Sequence, residues 1–208
     1  MKKSAVKDPR TTRVADLAPG QYSDGAPLDD IQYLECKLIL KPDEFTSPKG
    51  FNAYAKLVAQ AARECGVDFD TKPARNARRA IREVLFLDAD DFRLYNNAFI
   101  LTRRVRFEDG FPLGEPEVVF KYRHPDQQRA AEVDVRPNIP GEYRIKFKAE
   151  ALPLKDRLGA YRLLFSHNVQ FPLSRVPEGD RTAMERLAEI FPALKVLKRK
   201  KGDRVSLV

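Results

Sequence analysis

The stretch RIKFKAE, residues 144–150, sets Arg144, Lys146, Lys148 and Glu150 on one side of an extended chain and Ile145 and Phe147 on the other. Successive side chains of a strand point to opposite faces, so the charges share one face and the apolar groups the other. The same alternation recurs in YLECKLIL (33–40), RVRFE (104–108), VVFKYR (118–123) and EVDVR (132–136). The charged face then carries Glu35, Lys37, Arg104, Arg106, Glu108, Lys121, Arg123, Glu132, Asp134 and Arg136 besides the first four. The opposite face is mostly apolar, with Leu34, Cys36, Leu38, Val105, Phe107, Val118, Phe120, Tyr122, Val133 and Val135. A sheet face with both signs of charge and cations in excess is unusual for a core element. It points to a surface that holds a multiply charged anion, alone or together with a metal.

Composition sets the frame. The 208 residues suit one large domain or a domain with a tail, and 43% hydrophobic residues suffice for a core. The formal net charge of +8 favours anionic partners such as nucleic acid, phosphates or acidic lipid, and says nothing about fold. Cys36 and Cys65 have no second ligand at metal spacing and read as two reduced thiols. No apolar run approaches the roughly 20 residues of a membrane span, so no membrane partner is expected. The start MKKSAVKDPRTTR lacks a signal-peptide core, and a cytoplasmic protein is the expectation.

Residues 1–30 read as a flexible or draped arm, rich in Pro, Gly, Asp and Lys, and 31–208 as a single domain. A first strand is expected over 32–41. Ser47 and Pro48 then open a helix whose face carries Tyr54, Val58, Ala61, Ala62 and Cys65, and Gly66 stops it. A short basic helix is expected over 74–82, with Arg75, Arg78, Arg79 and Arg82 largely on one side. Strands follow on both sides of turns at Asp88–Asp91 and Asn96–Asn97. GFPLGEP (110–116) and 124–130 read as loops, and GAYRLLFSHNVQF (159–171) as a strand with Arg162, Ser166, Asn168 and Gln170 on its polar side. Asp180 is the expected cap of a last helix with Met184, Leu187, Ala188 and Phe191 inward and Pro192 at its end; RVSLV (204–208) opens a strand.

Strands in series with few helical crossovers argue for an α+β protein with mainly antiparallel pairing. Helices with apolar stripes belong on the apolar side of the sheet. The charged face is then either solvated on an open sheet or enclosed by a sheet curled into a barrel. The alternation alone favours the open sheet.

The order of these elements resembles the CYTH superfamily, the triphosphate tunnel metalloenzymes, which include class IV adenylyl cyclases and thiamine and inorganic triphosphatases. YLECK matches the family's opening E-x-E-x-K with Glu35 and Lys37, and Tyr33 stands at the first Glu. FLDADDFRLYNNAFILTRRVRF supplies a turn at Asp88, a Leu-rich stretch with Leu94, and the pair Arg104 and Arg106; EVVFK supplies Lys121, and AEVDV supplies Glu132 and Asp134. The likeness spans roughly residues 32–150, and no late acidic pair follows it. It implies a closed or nearly closed antiparallel barrel, a tunnel with a polar interior and helices outside. It also implies metal-dependent hydrolysis of inorganic, nucleoside or thiamine triphosphate.

On that likeness Lys37, Arg104, Arg106, Lys121, Arg144, Lys146 and Lys148 bind the phosphates, as Arg forks and Lys point charges do. Glu35, Glu132 and Asp134 hold Mg²⁺ or Mn²⁺, which prefer oxygen ligands. Glu35, Lys37 and Glu132 are the catalytic candidates. Taken singly, each group also reads as an exposed strand edge or a cross-strand ion pair. Tyr33 in place of Glu favours a second reading, a module that binds polyphosphate or a phosphorylated ligand without turning it over. The basic segments at 72–82 and 198–201 leave a nucleic-acid or protein partner as a third. His124 reads as a surface residue and His167 as packed.

Overall fold

The structure is a computed structural model that describes residues 22, 31, 34–70, 81–198 and 200–208. The chain divides into two compact units, Met1–Lys37 with Ile81–Val208, and Leu38–Ala80. Most of the N-terminal arm, Tyr33, and residues 71–80, which include 74–80 of the expected basic helix, lie outside the described residues.

The smaller unit holds a 3₁₀ turn, Pro42–Glu44, and helix α1, Pro48–Glu64. Ser47 is extended at the N-cap and Pro48 takes the first helical position, where its missing N–H costs nothing. Gly66 adopts φ +67°, its N–H donates to Arg63 O, and Val67 N–H donates to Ala62 O. That pair of bonds closes the helix, and the left-handed residue between them favours glycine. The rings of Phe51 and Tyr54 pack on Phe45 at 5.3 and 5.6 Å.

The larger unit is built on seven strands: β1 Leu34–Cys36, β2 Ile81–Asp88, β3 Phe99–Glu108, β4 Phe111–His124, β5 Arg144–Pro153, β6 Tyr161–Pro172 and β7 Ser206–Leu207. Their order is β1-β5-β6-β4-β3-β2-β7. Among the described residues only the β1–β5 pair is parallel. The fold is α+β and mainly antiparallel, as expected. The sheet is not closed: β1 and β7 are its edges, and strands of three and two residues are too short to supply a closing ladder.

The apolar face is covered by segments from between and after the strands. Helix α2, Arg93–Asn96, brings Leu94, and helix α4, Met184–Ile190, brings Met184, Leu187, Ala188 and Ile190, onto Phe99, Leu101, Val118, Phe120, Val169 and Phe171. Phe191 stacks on Phe120 with ring centroids 4.3 Å apart. Pro192 opens a further 3₁₀ turn, Pro192–Val196, at the end of α4. Asp180 accepts from Thr182 N–H and Oγ1 and thus caps the turn before α4; the N-cap itself is Ala183. A second cluster joins Phe147, Ala149, Leu163 and Phe165 to Tyr22, which is buried and shares a 3.0 Å hydrogen bond with His167 Nε2.

Five local expectations are corrected. β1 is confined to 34–36 of the expected 32–41. Ile81 and Arg82, expected to end a helix, belong to β2, where Arg82, Val84 and Phe86 continue the alternation. The expected loop 110–116 belongs to β4; the true turn is Asp109–Gly110, with φ +50° and +86°. Two residues of positive φ between Glu108 and its partner Phe111 match the twist of the strands they join. Gln127–Glu132 forms helix α3, capped by Asp126 Oδ1, which accepts from Arg129 N–H at 3.0 Å. Consequently 132–136 is not a strand: Glu132 ends α3, and Val135 turns fully into the core. The run Gln-Gln-Arg-Ala-Ala-Glu behind a capping Asp outweighs the short alternation that follows it.

Candidate functional site

Register decides which charges meet. Ile100, Lys121, Asn168 and Lys146 are successive cross-strand partners over β3, β4, β6 and β5. One level along, Phe86, Thr102, Val119, Gln170 and Arg144 form the next row, and Val84 faces Arg104 beyond it. On the other side Arg123, Ser166 and Lys148 align, and Glu150 sits beside Glu35.

These rows line a cavity of about 440 Å³. Eight cationic side chains reach it, Lys37, Arg82, Arg104, Arg106, Lys121, Arg144, Lys146 and Lys148, against the single carboxylate of Glu35. β1 and β2 are five strand spacings apart, about 24 Å on a flat sheet. Both line this one cavity, so the sheet curls round its charged face. Electrostatics agree: the field of Glu35 on β1 reaches Arg104 on β3.

The cavity has two ends of different character. At one end Glu150, fully buried, meets Lys37 at 3.2 Å, Lys148 at 3.0 Å and Arg123 at 2.9 Å. Lys37 also lies 3.3 Å from Glu35, and Lys148 donates a short hydrogen bond to Glu35. Burial pushes both carboxyls up, but the surrounding cations outweigh it, and both are held below the usual carboxylate range. Burial alone would pull Lys148 down; its bonds to Glu35 and Glu150 raise it instead.

At the other end the cations have no carboxylate in direct contact, although Glu117, the cross-strand partner of Arg104, and Glu35 act on Arg104 at longer range. Among the described residues Arg82, Arg104, Arg106, Lys121 and Arg144 have no carboxylate within 4 Å. Burial, aided by Arg82, lowers the pKa of Arg104, whose Nε is buried without a hydrogen-bond partner. Lys121 is pushed down to about 7, first by burial and then by Arg104, Arg123 and Lys148, with Glu150 opposing. Arg104 and Lys121 are half-buried, whereas Arg82, Arg106 and Arg144 are exposed; a cation partly withdrawn from water with no carboxylate in contact attracts an anion.

No protein family, curated protein or solved structure matches this chain.

The cavity therefore gathers Glu35 and all seven expected phosphate-binding residues, Lys37, Arg104, Arg106, Lys121, Arg144, Lys146 and Lys148. Glu132 and Asp134 are not part of its lining. Glu132 accepts from Gln128 at 3.1 Å, and Asp134 is held in a fork by Arg136, with contacts of 2.6 to 3.0 Å. Among the described residues no group of three or more His, Cys, Asp or Glu side chains is placed to hold a metal ion. Glu35 and Glu150 are adjacent, and both are paired with Lys37 and Lys148. The sequence reading missed Arg82, assigned to a helix, and Glu150, which stands two positions after Lys148 in the same alternation.

His124 lies outside this cavity, its Nδ1 accepting from Asp126 N–H at 3.0 Å. Cys36 and Cys65 are free and exposed. Among the described residues no helix is long and apolar enough to cross a membrane.

Proposed function

We propose that this protein binds a triphosphate or short polyphosphate chain along the curled, charged face of its sheet, without a metal. The sheet then acts as a nearly closed barrel that lacks its last ladder. The observation that carries this reading is the group of five cations, Arg82, Arg104, Arg106, Lys121 and Arg144, gathered round one cavity with no carboxylate within 4 Å among the described residues. Arg forks suit adjacent phosphate oxygens, and a chain of phosphates meets several of them at once. The paired end, with Glu35 and Glu150, holds Lys37 and Lys148 in place and closes the cavity to further anions.

Calorimetry with inorganic triphosphate tests this. Binding is expected in EDTA as in Mg²⁺, weakened tenfold or more by Arg104→Ala or Arg106→Ala (about 1.4 kcal/mol or more). Absence of binding at low salt in either condition overturns it. Phosphate release that depends on Mg²⁺ or Mn²⁺ overturns the metal-free reading in favour of hydrolysis.

A further inference from the structure

The lysines of the cationic cavity are not alike. Lys37 and Lys148 are tied to Glu35 and Glu150. Lys121 lines the same cavity and makes no hydrogen bond or ion pair among the described residues. It stands in the middle of the sheet, on β4, with Ile100 of β3 and Asn168 of β6 as its direct cross-strand partners. Val119, two residues earlier on the same face, is buried and also lines the cavity.

An ammonium in this place has no carboxylate to hold its charge. Burial, then Arg104, Arg123 and Lys148, lower the pKa of Lys121 to about 7, with Glu150 opposing. At neutral pH a large share of the side chain is free amine, against about one part in a thousand for an ordinary lysine. An amine kept neutral by burial and by neighbouring cations is a nucleophile toward carbonyl carbon.

The cations that disfavour its proton also hold anions. Arg104 is the cation that acts most on Lys121, and Arg82, Arg106 and Arg144 share the cavity with it. Arg forks bind phosphate oxygens in pairs. A small molecule with a phosphate at one end and a carbonyl at the other thus meets an anchor and a nucleophile within one cavity of about 440 Å³.

We propose that Lys121 is a nucleophile that forms an imine with a small aldehyde bearing a phosphate group, the phosphate being held by Arg104 and the arginines that share its cavity. This rests on the phosphate-binding reading and adds a covalent step to it. The Nζ lone pair forms a bond to the carbonyl carbon, and the C=O π pair moves to oxygen, which takes a proton from nitrogen. Nitrogen then gives up its second proton, C=N forms, the C–O bond breaks and the oxygen leaves as water. The step is reversible and needs no oxidant or reductant.

Pyridoxal phosphate is the probe, with pyridoxal as the control that lacks the anchor. The full chain is exposed to each at neutral pH, imines are fixed with borohydride, and the modified lysines are read by peptide mass spectrometry. Pyridoxal phosphate is expected to label Lys121 about tenfold faster or more than Lys37, Lys148 or the exposed Lys198. Pyridoxal is expected to label Lys121 about tenfold slower than pyridoxal phosphate does, because nothing holds it beside the amine. Arg104→Ala brings the two rates closer together. Inorganic triphosphate slows labelling at Lys121 and not at Lys198. Before reduction, the imine absorbance band is lost in Lys121→Arg. Labelling spread over the lysines with no preference for Lys121, in protein that binds inorganic triphosphate, overturns the inference and leaves the phosphate-binding reading standing, as does an imine band that survives Lys121→Arg. Preferential labelling of Lys121 by both probes at equal rates, untouched by inorganic triphosphate, overturns the phosphate-binding reading and with it the phosphate assigned to the aldehyde.

Discussion

Glu35 and Glu150 are direct partners in the parallel ladder between β1 and β5, and Lys148 bonds to both. Two carboxylates at one level of a sheet repel unless cations stand between them. Lys37 and Lys148 take that place, and Arg123 closes the far side of Glu150. The network fixes the lysines at one end of the trough and leaves the cations of β2, β3 and β4 for an incoming anion.

Glu150 is the member on which the network turns, because it is fully buried and touches three cations. Glu150→Gln leaves Arg123 without its carboxylate partner and Lys148 with Glu35 alone, and is expected to cost about 3 kcal/mol or more. Glu35, a third exposed, is screened by water, and Glu35→Gln is expected to cost under about 1 kcal/mol. Urea unfolding of both variants checks the ordering. Both carboxyls are held below 4.5, so their contribution is present above that pH and is lost as pH falls through their folded values. Glu150→Gln should flatten the acid limb of the stability profile; an unchanged limb refutes the account.

Asp88 ends β2 and starts the turn that follows. Its carboxylate is buried and accepts from the backbone N–H groups of Ala89, Leu94 and Tyr95 at 2.7 to 2.9 Å. Asp88→Ala leaves three backbone donors, two of them buried, without their acceptor and is expected to cost about 3 kcal/mol, read from denaturant or thermal unfolding. Asp88→Asn keeps one acceptor and should fall between the two.

The alternation in RIKFKAE and VVFKYR was sufficient to predict β5 and β4 and the side that faces the trough, because both strands pair along most of their length. Open against closed was not legible, since it depends on edge strands of two and three residues. Glu132 and Asp134 misled for a physical reason: VDV alternates, but Asp126 caps a helix that consumes the residues before it. Gly114 and Pro116 suggested a loop, whereas Asp109–Gly110 was the stronger hairpin signal. The Lys37–Glu150 and Lys148–Glu35 pairs depend on the parallel β1–β5 pairing, which no local pattern announces.

His167 is fully buried on the apolar side of β6, with Tyr22 on its Nε2 and Phe147 edge-on to its ring. Burial pushes its pKa down to about 4 from 6.5, against the opposing pull of the Val133 and Ala130 backbone and Asp134. The unfolded chain takes up a proton below 6.5 that the folded ring refuses until about 4. Stability therefore falls as pH drops through that window, by about 3 kcal/mol from this residue. His167→Phe should remove that part of the slope, measured by urea unfolding at pH 7, 5.5 and 4. Tyr22→Phe removes one buried bond and is expected to cost about 1 kcal/mol at neutral pH.

On the phosphate-binding reading, Lys121 couples ligand binding to pH. In the free protein its pKa stands near 7, well below the ordinary 10.5, because it is buried among Arg104, Arg123 and Lys148. Charging it costs stability below pH 7, and that cost is relieved as pH rises from 7 toward 10.5, since there the unfolded chain binds the proton and the folded chain does not. A phosphate chain in the trough supplies the missing counter-charge and restores the ammonium. Binding above pH 7 should thus take up a proton, and affinity for inorganic triphosphate should fall about tenfold per pH unit at most over pH 7.5–9.5. Calorimetry in buffers of different ionisation enthalpy reads the uptake directly. Lys121→Met is expected to weaken binding at pH 6, abolish the uptake and stabilise the free protein at that pH. Retention of the full proton uptake in Lys121→Met would assign the titration to another group.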